Sequence, residues 1–334
     1  MRLVRRCLES EVIRVNAKVA TNNPIIKFIK SIPPVVWITL VLISVFSMSS
    51  DRYLQFSNFS NMLVQSVPLM LVAFAQTLIV LTQGTDLSLG AQVSFVTVIW
   101  IYLTKAGVPI YISAIVAVLM SMCVGAVNGL IVSKGKIPPF IATLGMQNIL
   151  NSISLLLTAG ASIYIFNPLF HNVTQAKIVG LPLTVWIAAL MFLITWVVLY
   201  KTKLGAQVFG LGGNQEALTL AGINLIKPSI KIYAFAGLLT GVSGLITTCR
   251  LESGQPVVGA GWEFEAVAAT LLGGTSLREG KGGIGGTVFG VLLITILKNG
   301  LNVSGVPSLY QNAIIGMIIL MSIVIDALAR RAKS

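Results

Sequence analysis

The sequence predicts an all-α, polytopic membrane protein with about ten transmembrane helices and an inverted internal repeat. Three observations carry that expectation. The 334 residues are 55% hydrophobic and only 10% charged, long apolar intervals recur along the chain, and the second half repeats a segment of the first. A soluble globular domain carries about 25% charged residues. The net charge of +13 would also suit nucleic acid. However, the basic residues lie at the edges of apolar runs and not in a stripe with interleaved aromatics, so the lipid bilayer is the expected partner and nucleic acid is not.

A helix crosses the hydrocarbon layer with ~20 apolar residues. Ten long intervals free of Asp, Glu, Lys and Arg are read as candidate spans: 31–50, 53–85, 87–104, 106–133, 137–176, 178–200, 232–249, 266–277, 282–297 and 299–325. The eighth has twelve residues, so it spans only by drawing in Gly261 to Glu265 or by being broken or partly re-entrant. With the N-terminus inside, alternate connections hold 18 of the 23 Lys and Arg, leaving Arg52, Lys105, Lys177, Arg250 and Lys298 on the other side. Positive loops stay cytoplasmic, which places both termini inside.

Residues 1–32 form a basic cytoplasmic segment without the apolar core of a signal peptide. Leu8, Val12, Val15 and Val19 fall on one stripe, which suits a helix on the membrane surface; the other reading is a mobile basic tail. The transmembrane domain is expected over 33–329, followed by a basic tail, 330–334.

Asn128 to Ser133 (NGLIVS) matches Asn299 to Ser304 (NGLNVS) at an offset of 171, and Gly145-Met146 matches Gly316-Met317 at the same offset. The repeat halves are about 60–160 and 229–329. A shift of five spans reverses direction in the membrane, an organisation common among transporters. Glycine ridges at Gly237 and Gly241 and at Gly282, Gly286 and Gly290 are read as surfaces for helix packing.

No catalytic, metal or cofactor pattern emerges. There is one histidine, and Cys7, Cys123 and Cys249 are too far apart for a paired motif. The segment GTSLREGKG (274–282) lacks the spacing and the hydroxyl of a nucleotide-binding loop.

Acids beside a membrane are more informative, because one at mid-helix costs about 2.5–3.5 kcal/mol. Asp86, with Ser88 behind it, and Glu263 with Glu265 stand at the starts of two repeat-related spans. They either line a polar pathway or cap helix N-termini. The repeated Asn128 and Asn299 are expected to border the pathway or its gates. The turn from Lys134 to Phe140, stiffened by Pro138 and Pro139, is expected to form part of the inner gate.

In the cytoplasmic connection 201–231, Asn214 can cap a helix from Gln215 to Ala221, with Ala217, Leu220 and Ala221 on one face and Gly222 as its stop. Such a helix suits docking into another protein's groove, or else it is a solvated turn.

Taken together, GTDLSLGA (84–91), LGGNQEALTLAGIN (211–224), WEFEAVAATLLGGTSL (262–277), GGTVFG (285–290) and NGLNVSGVPSLYQNAIIG (299–316) resemble the permease subunits of bacterial ABC importers for monosaccharides, the ribose and galactose type. The resemblance covers residues 60 to 328; Glu265 stands where many relatives carry Asp, and the loop REGKGG (278–283) is unusually charged. It implies a multi-pass protein of the bacterial inner membrane, working as a homodimer or heterodimer of permease subunits. It also implies cytoplasmic ATP-binding subunits and an extracytoplasmic sugar-binding protein. Gly213, Asn214, Glu216, Ala217, Ala221 and Gly222 then belong to the ATPase-coupling segment, and Arg52 and Arg250 face the binding protein. The chain itself is expected to make no covalent chemistry. Another small polar solute (a polyol, furanone, nucleoside or amino acid) is the alternative cargo, and ion-coupled secondary transport the alternative mechanism.

Reporter fusions test the orientation. Those after Lys203 and Ser334 are expected to read cytoplasmic and one after Ala176 extracytoplasmic; a cytoplasmic signal at 176 rejects the ten-span order.

Overall fold

The computed structural model describes residues 34–49, 53–277 and 279–307, with 310, 311, 313, 314, 316 and 317. The expected surface stripe in 1–32, Arg52 and the tail 330–334 lie outside these residues. The helices in the first half are α1 (Pro34–Ser49), α2 (Phe56–Val80), α3 (Leu89–Lys105), α4 (Ile110–Gly135) and α5 (Pro139–Thr158). Next come β1 (Ile163–Tyr164), α6 (Pro168–Gln175), β2 (Lys177–Ile178), β3 (Leu181–Pro182), α7 (Leu183–Lys201), α8 (Lys203–Gly213) and α9 (Gln215–Leu220). The chain continues with α10 (Ile226–Leu251), β4 (Ser253–Gly254), α11 (Trp262–Leu272) and α12 (Ile284–Val303).

Six of these, α2, α4, α5, α7, α10 and α12, are long and apolar enough to cross a membrane, and α1 and α3 contain shorter apolar helices. They form two shells. In the most apolar stretches of α2 and α10, 78% and 72% of residues are buried, against 22%, 17% and 22% in α4, α5 and α7. Helix α3 is buried without interruption from Leu89 to Ile101. A helix buried on every side belongs to the centre of a bundle. Accordingly α10 lies along α4 and also touches α2 and α3, while α2 meets α11 and α12.

Glycine makes that density possible, because lipid tails supply no hydrophobic drive between helices and close backbone contact must supply dispersion instead. A Cβ on Gly237 would collide with the Ser121 carbonyl of α4 and stand 2.9 Å from Met122 Cα. Gly125 and Gly129 of α4 meet α10 backbone in return. Gly286 and Gly290 of α12 sit against Gly273 and Ala269 in the same way. Both expected ridges are thus contacts within the chain. Gly282 is the exception: its φ of +139° places it in the loop before α12, against Thr275. Hydroxyls add a polar pin, with Thr77 of α2 bonded to Thr287 of α12 at 2.7 Å and to Thr270 of α11 at 3.2 Å.

The short eighth interval is broken. Helix α11 has eleven residues, ~16 Å of helix at 1.5 Å per residue. Before it, an irregular run of turns lies against α3: Gln255 N donates to Thr97 Oγ1 (3.0 Å) and Gly259 N to Ser94 Oγ (2.9 Å). Irregular backbone at membrane depth survives only where protein groups satisfy it, and α3 provides those groups.

Three boundaries differ from the charge-based reading. Lys298 lies within α12 rather than in a connection, with its ammonium on Glu265 of α11 at 2.6 Å. The interval 137–176 breaks after Thr158 into α5, β1 and α6. Its β1 pairs antiparallel with β4, Ile163 opposite Gly254, and β2 and β3 form a hairpin turned by Val179 (φ 50°) and Gly180 (φ 79°). Finally, α8 was hidden by its glycines, which disfavour helix; Thr202 starts it by accepting from Gly205 N at 3.3 Å.

Gly237→Leu is expected to destabilise the bundle by about 1–3 kcal/mol through overpacking, read as a lower melting midpoint in detergent. Gly145→Ala, on an exposed face of α5 with nothing within 4 Å, is expected to leave the midpoint unchanged.

Candidate functional site

The turn from α2 into α3 carries a wholly buried polar cluster. Asp86, Ser88, Gln92, Ser121, Asn128, Thr143 and Thr240 are all at 0% exposure. Asp86 Oδ1 accepts from Ser88 N (2.8 Å) and from Ser88 Oγ (2.6 Å), an Asx-type turn that opens α3. Ser88 Oγ accepts in turn from Asn128 Nδ2 and Gln92 Nε2, both at 2.9 Å. Asn128 also reaches Asp86 Oδ2 at 3.4 Å. Gln92 Oε1 then gathers Ser121 Oγ of α4 (3.1 Å) and Thr240 Oγ1 of α10 (3.0 Å). One connected network therefore ties α3, α4 and α10.

Asp86 bonds Ser88, which is itself the N-cap residue of α3, and reaches a second helix through Asn128. Gln92, Ser121 and Thr240 were not foreseen. The available signal was spacing: Ser88 and Gln92 are four apart on an otherwise apolar helix, which puts them on one face.

The proline turn reaches the same cluster. Lys136 (φ 53°) ends α4, Pro138 is the N-cap and Pro139 the first residue of α5, and Phe140 is half exposed. Thr143 Oγ1, one turn into α5, accepts from Leu87 N at 3.0 Å and donates to Pro139 O at 2.8 Å.

Glu263 stands at the start of α11, where Gly261 (φ +88°) turns the chain into the helix. It is 2% exposed and accepts from Gln147 Nε2 of α5 at 2.8 Å. Its Oε2 lies over Gly90, four residues after Asp86, where any Cβ would collide with it. The starts of α3 and α11 thus meet backbone to backbone through Gly90 and Gly259. Glu265 faces the other way, to Lys298. Asn299 is remote from Asn128 and exchanges amide hydrogen bonds with Asn58 of α2, at 2.9 and 3.0 Å. The two repeated asparagines therefore occupy different settings.

At the end of the bundle where α2 finishes, α9 projects outward. Asn214 Oδ1 accepts from Ala217 N at 2.9 Å as the N-cap. Gly222 (φ +74°) closes the helix with Gly222 N on Thr219 O and Ile223 N on Leu218 O, each at 3.0 Å. Gly213, Asn214, Glu216, Ala217, Ala221 and Gly222 are all exposed, and Leu220 is 84% exposed. Leu218 alone of the helix is half buried, folding back onto Gly210. Arg250 ends α10 at the opposite end of that helix, half buried.

A family model described as "Branched-chain amino acid transport system / permease component" matches residues 58–323. The chain belongs to this permease family. It is 38% identical to the ribose import permease protein RbsC of Escherichia coli K12 over 291 residues, covering 86% of this chain and 91% of that one. Identity to the D-allose transport system permease protein AlsC of the same organism is 32% over 294 residues, covering 87% and 90%. Identity to the galactose/methyl galactoside import permease protein MglC of Haemophilus influenzae is 31% over 318 residues, covering 89% and 94%. No solved structure matches the chain. With six long apolar helices among the described residues, this permease is a multi-pass membrane protein.

Proposed function

We propose that the chain is the membrane-spanning permease subunit of an ATP-driven ABC importer, and that it translocates a monosaccharide by alternating access. The observation that carries this reading is α9: a capped, exposed helix held clear of the bundle, in a chain whose relatives are named as ribose, allose and galactose permeases over about nine-tenths of their length. Its apolar tip, Leu220, has nothing covering it among the described residues, as a docking element requires. ATP is hydrolysed in separate subunits that receive α9 on the cytoplasmic face. An extracytoplasmic binding protein delivers the sugar, with Arg52 and Arg250 on its side. A second permease subunit completes the pathway, and both termini are cytoplasmic.

Helix boundaries support an inverted repeat of ten crossings. Shifted by the offset of 171, α2 would run from 227 to 251, and α10 is Ile226–Leu251. Pro139, which opens α5, shifts onto Tyr310, where helix resumes. The contacts are exchanged as well: α2 meets α11 as α10 meets α3. The ten are α1 to α5, α7, α10, the broken segment ending in α11, α12 and the helix opened by Tyr310. In this frame Asp86, Ser88, Asn128 and the Pro138 to Phe140 turn gate the cytoplasmic side. Asn299 lies toward the outer side, and Glu263 stands between them at the meeting of the two half-elements.

The test is reconstitution with the ATP-binding subunits and the binding protein, measuring uptake of labelled D-ribose, D-allose and D-galactose against unlabelled branched-chain amino acids. Import of at least one sugar, uncompeted by amino acids, is expected; the reverse pattern rejects the sugar. Ala217→Trp is expected to abolish ATPase co-purification or to leave hydrolysis without uptake, while Thr219→Ser is tolerated. Asp86→Ala is expected to lower uptake about tenfold or more with membrane abundance intact, whereas loss of abundance makes Asp86 a structural cap only.

A further inference from the structure

The coupling helix is held very differently at its two ends. Upstream, α8 is held against backbone at Gly205 and Gly212, and among its glycines only the last residue, Gly213, is exposed with nothing within 4 Å of its Cβ position. Gly205 lies against the Leu199 carbonyl so closely that a Cβ would overlap it, and the Tyr200 and Phe209 rings meet in a tilted contact across the corner between α7 and α8, centroids 6.1 Å apart. At the other end of α8, two residues before the Asn214 cap, buried Gly212 touches two further segments. A Cβ there would overlap the Leu81 carbonyl, which ends α2, and stand 2.9 Å from Gly280 Cα in the loop between α11 and α12. Gly280 itself (φ +58°) is as tight, its Cβ position being 2.5 Å from Gly212 C. Gln83 Nε2 closes the joint by donating to Gly212 O at 2.6 Å.

Downstream the situation reverses. Gly222 has no atom within 4 Å of its Cβ position, and Ala221, Gly222 and Asn224 are exposed; the link first packs on the core at Leu225, next to α10. Among the described residues, the hydrogen bonds of 221–224 stay within α9 and the first residue of α10: Ala221 N on Ala217 O, Gly222 N on Thr219 O, Ile223 N on Leu218 O, and Asn224 Oδ1 accepting from Ile226 N. Backbone in contact with backbone transmits displacement, because interiors at this density have low compressibility; an exposed glycine link absorbs it.

We infer that displacement of α9 enters the bundle backwards along the chain, through α8 and the joint of Leu81, Gly212 and Gly280, and not forwards through 221–225 into α10. Gln83 is the positioning residue of that joint. From it, the path reaches two places at once. The turn after α2 leads within three residues to Asp86, whose partner Ser88 carries the network to α4 and α10. The loop at Gly280 leads to Gly283, whose N donates to Thr275 Oγ1 at 3.3 Å just before α12 begins. One stroke therefore acts on both repeat halves. The inference rests on reading α9 as the ATPase-docking helix.

The experiment compares two Gly-Gly insertions in the reconstituted complex, one after Gly213 and one after Ile223. The readout is sugar imported per ATP hydrolysed, using whichever of D-ribose, D-allose and D-galactose the wild-type complex imports fastest. The insertion after Gly213 is expected to lower that ratio about tenfold or more with hydrolysis retained, and the one after Ile223 to leave it within about twofold. Gln83→Ala, which makes no change in chain length, is expected to lower the ratio about fivefold with unchanged membrane abundance and ATPase co-purification. If the insertion after Gly213 fails to accumulate, Gln83→Ala decides alone, and a wild-type ratio overturns the inference. Equal loss from both insertions, or loss only after Ile223, overturns it while leaving α9 as the coupling helix. If all three variants behave as wild type, the path is wrong; Ala217→Trp then separates the two readings, since normal ATPase association and uptake in that variant reject the coupling role of α9 as well.

Discussion

Contact between helix backbones, most extensive where α10 lies along α4, is the constraint on which the rest of this bundle depends. Lipid offers no hydrophobic reward for bringing two apolar helices together, so association has to come from dispersion at short range and from hydrogen bonds. Gly125 and Gly129 of α4 and Gly237 and Gly241 of α10 remove the side chains that would hold the axes apart. Only with the axes so close can Ser121 of α4 and Thr240 of α10 both reach Gln92 of α3. The polar network is a consequence of glycine.

The network in turn makes a buried acid tolerable. A carboxylate in a low-dielectric interior is costly unless its oxygens receive donors, and Asp86 receives three from Ser88 and Asn128. Glu263 is satisfied only at Oε1, which accepts from Gln147; its Oε2, over Gly90, has no hydrogen-bond partner among the described residues. Among the described residues, the starts of α3 and α11 combine buried acids, irregular backbone and several helices. The starts of α3 and α11 come together at the Gly90 and Gly259 contact.

The same principle operates at the α9 end with the opposite purpose. There Gly212 and Gly280 do not admit a polar group; they admit another piece of backbone. The exposed helix α9 is thereby joined, through α8, to the turn that leads to Asp86. Distance alone does not couple two sites. What matters is contact: upstream of α9, Gly205 and Gly212 press on backbone, whereas the positive-φ turn at Gly222 touches nothing.

The sequence by itself determined the class of protein, because exclusion of charge from long intervals is a property of composition and needs no partner. The end signals of α9, Asn214 and Gly222, were legible for the same reason: caps are local, set by residues a few positions apart. The eighth interval was legible as defective from its twelve residues. What the tertiary structure decided was everything that depends on a second segment. Lys298, counted as a loop charge, sits inside α12 because Glu265 neutralises it. Helix α8 forms despite its glycines because each of Gly205, Gly210 and Gly212 gains a neighbour that alanine would exclude. Gln92, Ser121 and Thr240 looked like ordinary small polar residues on apolar helices, and they converge only when three helices bring them together. Local rules set where helices begin and end, while the meaning of a buried polar group belongs to the partner across the interface, which sequence order does not reveal.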